Sequence, residues 1–138
     1  MEKDQIVSSP QPTRSRYAVL LDQYLIALSV VMMIFGLRQW AIILGIVPGP
    51  TGSFEAMSTA WKIATMHMAV VDLVAAVGLW MRVAWGRVVW VYAALSEIAF
   101  HSIFIGTFGS DLPKVGFHFV TLFIFVVLTI LARRHAQP

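Results

Sequence analysis

The chain alternates between long apolar blocks and short polar segments. Four blocks are apolar almost throughout, at residues 18–37, 63–81, 88–106 and 115–132. Each is close to the roughly 20 residues with which an α-helix crosses a hydrocarbon core about 30 Å thick. Because lipid cannot satisfy backbone amide and carbonyl groups, a spanning block has to be helical. The pattern predicts an all-α fold, a bundle of four transmembrane helices.

The polar residues mark the limits of this bundle. Residues 1–16 are polar and contain Pro and Ser, which predicts a disordered tail before a transmembrane domain at residues 17–134. Residues 135–138 form a short second tail. Arg14 and Arg16 precede a long apolar stretch without a small-residue cleavage site, so we expect the first helix to remain as its own anchor.

The connections between the blocks differ in length. Residues 81–87 allow only a tight turn, so the second and third helices should form an antiparallel hairpin, in which small residues such as Gly78 permit close contact. Gly109 and Pro113 break the chain before the fourth helix. Residues 40–47 have apolar positions at helical spacing, which fits either a helix lying in the membrane surface or an extension of the first helix.

Lysine and arginine are distributed unequally between the two sides that four crossings would create. One side has seven, namely Lys3, Arg14, Arg16, Arg82, Arg87, Arg133 and Arg134, and the other has three, namely Arg38, Lys62 and Lys114. The positive-inside rule then predicts that both termini are cytoplasmic. Tryptophans agree with interfacial belts, with Trp80, Trp85 and Trp90 at the inner boundary and Trp40 and Trp61 at the outer one.

Composition supports a lipid-embedded chain. Of the 138 residues, 59% are hydrophobic and 12% charged, and the mean hydropathy is +0.79. Soluble domains are about 45–50% apolar and about 25% charged, so the excess should face the lipid bilayer. The net charge of +3 comes without a basic run interleaved with aromatics, so no nucleic-acid partner is expected. The absence of Cys excludes disulfides, thiolate metal sites, covalent c-type haem and cysteine nucleophiles.

Five ionisable residues interrupt the apolar blocks and form the candidate intramembrane polar site: Glu97, His101, Asp72, His67 and His118. Ionisable groups at membrane depth are costly and often mark a functional site. Glu97 and His101 are four residues apart, so they share a helix face. His67 and Asp72 are five apart, about 140° around the helix, and cannot both point at the bundle axis.

Each of these residues has a functional and a structural interpretation. Glu97 and His101 fit a proton-binding pair, part of a metal site, or a polar contact that fixes helix packing. Asp72 fits a functional carboxyl or a protonated acid bonded to a neighbouring helix, for example through Ser29. His67 and His118 are expected near the wet outer boundary, where interfacial bonding is favoured. Asp22 and Arg38 are expected to act only as anchors at the two surfaces.

The donor set does not identify a cofactor. Three His and a carboxylate could bind Zn²⁺, Cu²⁺ or Fe²⁺, and two facing His could ligate a haem. The spacing between Glu97 and His101 differs from the Glu-x-x-His of di-iron bundles, and H-E-x-x-H is absent. Neither a P-loop nor G-x-S-x-G is present, so we expect no enzymatic activity and assign no catalytic residue.

Short Trp- and Gly-rich motifs carry a family resemblance. They are the run Ala76-Val77-Gly78-Leu79-Trp80, then Trp85-Gly86, Trp90 and Glu97, preceded by Gly36, Trp40, Gly45, Phe54 and Trp61. This order resembles a family of small bacterial four-helix integral membrane proteins of unknown function. The resemblance implies four spans and a bacterial inner, or cytoplasmic, membrane, and it carries no activity, cofactor or site residue.

Three hypotheses about function follow. The leading one is a non-enzymatic accessory or scaffold subunit that docks on a larger membrane complex or self-associates, because the loops are minimal and the sequence has neither a soluble domain nor a catalytic motif. The second is a bundle that binds a metal or haem, or relays protons, through Glu97, His101, His67 and His118. The third is a small transporter that uses Asp72 and Glu97 as carriers.

Overall fold

The computed structural model describes residues 14–136, and this part of the chain is helical without a strand. The predicted disordered segment 1–16 and the end of the 135–138 tail lie largely outside the described residues. Helix α1 (Arg16–Ile43) begins where the Ser15 hydroxyl accepts a hydrogen bond from the Ala18 amide. It runs beyond residue 37 to Ile43, so the segment after Trp40 first extends α1 and then turns at Gly45, whose φ is +72°.

Helices α2 (Thr59–Trp80) and α3 (Ala84–Ser102) form the antiparallel hairpin that the short connection predicts. Ser58 caps α2 by accepting from the Trp61 amide, and Arg82 makes the turn with a φ of +56°. A Cβ at Gly78 would lie 2.5 Å from the Cα of Gly86, so the two backbones are in direct contact.

The predicted third block, residues 88–106, is wrong at its far end. Helix α3 stops at Ser102, where the amides of Ile103 and Phe104 both donate to the Ala99 carbonyl. A short helix α4 (Ile105–Phe108) follows. Helix α5 (Leu112–Arg134) then begins at the cap Asp111, with Pro113 in its first turn as expected.

Three of these helices, α1, α2 and α5, are long and apolar enough to cross a membrane. Helix α3 has 19 residues but a lower hydropathy, because it carries Arg87, Glu97 and His101. The described residues therefore identify a helical protein with three candidate spans.

The four long helices pack as a ring, in which α1 and α3 each lie against both α2 and α5. Two ends can be defined. The loop end carries residues 44–58 and 103–111, and the termini end carries Arg14, the turn at residues 81–83 and Arg134. The half of the core nearer the termini end is apolar, with buried Leu21, Leu25, Leu28, Leu79 and Trp90. Trp90 thus belongs to the core, packed edge-on against Phe125 at 5.3 Å, and its predicted place in an aromatic belt is wrong.

The loop end is folded back over the bundle. Gly49 and Gly52 exchange backbone hydrogen bonds of 2.8 and 3.2 Å, and a 3₁₀ turn follows at Phe54–Ala56. Met57 is buried beneath this hairpin, where it contacts Gly49. This loop places Pro50 beside Arg38 and Lys114, at the loop end of the bundle. At the opposite end, Asp22 contacts Arg14 at 3.0 Å and Arg82 at 3.7 Å.

Candidate functional site

Three ionisable side chains meet inside the loop end of the bundle. The Glu97 Oε2 atom lies 3.6 Å from His101 Nε2 on the same helix and 3.4 Å from Lys114 Nζ on α5. The Glu97 and His101 side chains are only 7% and 6% exposed, and that of Lys114 is 33% exposed. The predicted pairing of Glu97 with His101 on one helix face is confirmed, and the cluster is completed by a lysine from another helix.

A backbone carbonyl determines which nitrogen of His101 carries a proton. His101 Nδ1 lies 3.2 Å from the carbonyl oxygen of Gly109. Since a carbonyl oxygen only accepts, Nδ1 must be the donor. In a neutral imidazole Nε2 is then an acceptor, and it faces a carboxylate oxygen, which also accepts. The two atoms are 3.6 Å apart, which is beyond hydrogen-bond distance, and the same carboxylate oxygen lies 3.4 Å from the Lys114 ammonium.

A cavity of about 30 Å³ adjoins this pair and has room for about two water molecules. Its polar lining includes Arg38, Thr65, Glu97, His101 and Lys114, with Trp61 beside His101. Two wider pockets at the loop end, of about 420 and 380 Å³, share Lys114 and Pro50 with this cavity. The cluster is therefore buried yet close to openings at the loop end.

Asp72 is 1% exposed, and neither of its carboxyl oxygens has a hydrogen-bond partner among the described residues. The predicted bond to Ser29 is not formed, because the Ser29 hydroxyl donates to the Ile26 carbonyl of its own helix at 2.6 Å. Asp72 is thus a buried acid on α2, separate from the Glu97 cluster.

The other two histidines do not join Glu97. His118 is 1% exposed, with neither ring nitrogen bonded within residues 14–136, so its expected place at a wet boundary is wrong. His67 packs against Tyr92 and Phe100, with ring centroids 5.5 and 6.4 Å away, in a groove between α2 and α3. Over the described part of the chain, no three His, Asp or Glu side chains are grouped closely enough to hold a metal ion.

Two cations at the site were not anticipated as site residues. Lys114 was counted only as a loop charge and Arg38 only as a surface anchor; Arg38 is exposed, and both side chains also line the pockets beside Glu97. The available signal was Asp111, whose carboxylate accepts from the Lys114 amide at 3.1 Å and caps α5. A cap at residue 111 places Lys114 in the first helical turn, where its side chain can reach a neighbouring helix.

Comparison with known proteins gives one match. The model of a family described as "Family of unknown function (DUF6163)" matches residues 19–136. No curated protein and no solved structure matches the chain.

Proposed function

The chain belongs to DUF6163, a family of unknown function, and we propose from its geometry that it is a membrane protein that exchanges protons through Glu97 and His101. The observation that carries this proposal is a buried imidazole and a buried carboxylate that face each other beside a water-sized polar cavity. His101 Nδ1 is committed to the Gly109 carbonyl, and Nε2 faces Glu97 Oε2 at 3.6 Å. A proton taken up by either group can leave again, because Lys114 lies 3.4 Å from Glu97 Oε2 and can compensate the charge that remains on Glu97.

The membrane arrangement that we propose has four crossings. Helix α3 lies between α2 and α5, two candidate spans, and its 19 residues extend for about 28 Å at about 1.5 Å per residue. Its polar side chains Glu97 and His101 are buried inside the bundle, as expected of a span that carries ionisable groups. Four crossings put both termini on one side, which the arginines assign to the cytoplasm of a bacterial inner membrane.

Access to the proposed proton site is from the loop end. The water-sized cavity beside Glu97 and the two wider pockets all lie there, between the residue 44–58 loop and Lys114. In the proposed orientation this is the outer face of the membrane. Ordered water in such a polar cavity would connect Glu97 with the medium.

Infrared difference spectroscopy on the protein in nanodiscs tests the proposal. We expect a carboxyl band that responds to the pH of the medium in the wild type and is lost in Glu97→Gln, whose amide donates to His101 Nε2 without exchanging a proton. Lys114→Met should move the pH at which this band changes, because it removes the compensating charge.

The control is Glu55→Gln, which removes an exposed carboxylate outside the pockets and should leave the Glu97 band in place. Wild-type and Glu97→Gln spectra that superimpose from mildly acidic to mildly alkaline buffer would contradict the proposal. Proton exchange is favoured over the metal-binding alternative because the described residues supply no group of three metal ligands.

A second candidate function is that of an accessory subunit, and the exposure of α5 favours it. Its Phe119, Val120 and Phe123 are more than half exposed, and the helix packs on the bundle along one face only. Mild-detergent extraction from the native membrane, followed by native mass spectrometry, should then detect a complex of fixed composition. A complex that persists in Phe119→Ala/Phe123→Ala, or a wild-type chain that is always monomeric, argues against a role for this face.

A further inference from the structure

Two cationic side chains, Arg38 and Lys114, line a pocket beside Glu97 and indicate a ligand other than a proton. Arg38 lines two of the pockets next to Lys114, and no carboxylate in residues 14–136 lies within ion-pair distance of its guanidinium. Lys114 shares Glu97 with His101. Arginine and lysine are the side chains that recognise the oxygen atoms of carboxylate and phosphate groups.

The pocket of about 420 Å³ has the composition of an oxyanion site. Arg38, Gln39 and Lys114 supply N–H donors, and Phe35 and Pro50 supply apolar walls. Two carboxylates line it as well: Glu97 contacts Lys114 at 3.4 Å, and one oxygen of Asp111 accepts from the Lys114 amide. The Arg38 guanidinium is therefore the cationic donor of this pocket that no carboxylate in residues 14–136 engages.

We propose that this pocket binds a small oxyanion between Arg38 and Lys114, and that its binding drives uptake of one proton by Glu97. This inference rests on the proposed proton exchange and extends it to a ligand class. An anion that draws the Lys114 ammonium away leaves Glu97 without its countercharge. The carboxylate then becomes a carboxylic acid by taking a proton from the medium, and Lys114 stays an ammonium throughout.

The charged groups around Glu97 allow this coupling. His101 lies on its own helix, Lys114 on α5 and Arg38 on the α1 side of the pocket. Asp111 precedes α5 and lines the same pocket, and Asp72 is the buried acid on α2. Among these groups only Lys114 both contacts Glu97 and lines the proposed oxyanion pocket as a cation, so it is the link between the two events.

The test measures thermal stability and proton uptake of the protein in nanodiscs, with sodium acetate and sodium phosphate as separate probes and sodium chloride as the ionic-strength control. A bound anion raises the unfolding temperature by mass action. We expect stabilisation and uptake of up to one proton per bound anion, read with a pH indicator in weakly buffered solution. Arg38→Met and Lys114→Met should weaken binding at least about tenfold, the loss of roughly 1.4 kcal/mol of interaction.

Two variants separate the steps. Glu97→Gln should still bind the anion but take up no proton, whereas Lys62→Met, which removes a cation on α2 outside these pockets, should behave as the wild type. Stabilisation only in nanodiscs that contain phosphatidylglycerol, lost in Arg38→Met, supports the same chemistry with a lipid headgroup as the source.

Three results overturn the inference: no response to any anion, a response in Arg38→Met and Lys114→Met as large as in the wild type, or stabilisation by a cation, tetramethylammonium, in place of the anions. Anion binding without proton uptake overturns the coupling alone. If anions fail to bind while the infrared band of Glu97 still titrates, the oxyanion site is wrong and the proposed proton exchange stands.

Discussion

Gly78 on α2 and Gly86 on α3 are in backbone contact, so closely that a Cβ on either residue would meet the main chain of the other. A methyl group there cannot be accommodated by a rotamer change, because the obstacle is backbone. Gly86→Ala should therefore lower the free energy of unfolding by about 1–3 kcal/mol, the usual cost of overpacking. Thermal unfolding in mild detergent measures this loss.

Gly116→Ala is the matched control, because a Cβ at Gly116 on α5 meets no atom within 4 Å. Alanine is the better helix former by up to about 1 kcal/mol, so this variant should be as stable as the wild type or more stable. If Gly86→Ala and Gly116→Ala change the free energy of unfolding equally, the backbones of α2 and α3 can move apart at Gly86 without loss of stability.

Tyr24 joins α1 to α5, since its hydroxyl donates to the Thr121 carbonyl at 2.6 Å. Tyr24→Phe keeps the ring and removes only the donor, so it should cost about 0.5–1.5 kcal/mol of unfolding free energy. Tyr92→Phe, at a more exposed position on α3, should change stability much less. If Tyr24→Phe and Tyr92→Phe have the same free energy of unfolding, this hydrogen bond contributes nothing to stability.

Asp72 should be a destabilising residue, because its two oxygens are buried without a donor. Asp72→Asn keeps the shape and cannot ionise, and we expect it to raise the free energy of unfolding by about 1 kcal/mol at neutral pH, since an ionised carboxylate without a donor is costlier to bury than a neutral amide. Asp111→Ala should have the opposite sign, a loss of about 1 kcal/mol, because it deletes the cap of α5. A destabilised Asp72→Asn would indicate a partner for the carboxyl.

The chain has no cysteine, so single cysteines can report its topology without background. Four crossings predict that Ser53→Cys and Ser110→Cys, both at the loop end, react with a membrane-impermeant maleimide on intact cells. Ala84→Cys, at the exposed first residue of α3 beside the turn, should react only after permeabilisation. Labelling of Ala84→Cys on intact cells would refute the proposed orientation.

Local sequence patterns predicted the helices and one contact of the site well. The apolar blocks located α1, α2 and α5 to within a few residues, except that α1 continues to Ile43. The spacing of Glu97 and His101 sufficed to pair them, because the geometry of one helix determines it.

The remaining features depend on how each helix is rotated about its axis. These helices are apolar on nearly every side, so the sequence has no polar stripe that identifies the lipid-facing side. For that reason Trp90 and His118 were expected at a boundary and are buried. The contact of Lys114 with Glu97 depends on the loop between α3 and α5, which His101 contacts at the Gly109 carbonyl.

The apolar half of the core closes the interior of the bundle toward the termini end. Between Asp72 and the termini end, the interior is filled by Leu25, Leu79 and Trp90, which are fully buried. A proton or anion admitted beside Lys114 therefore enters a blind recess. Passage to the opposite compartment would require these three side chains to move apart.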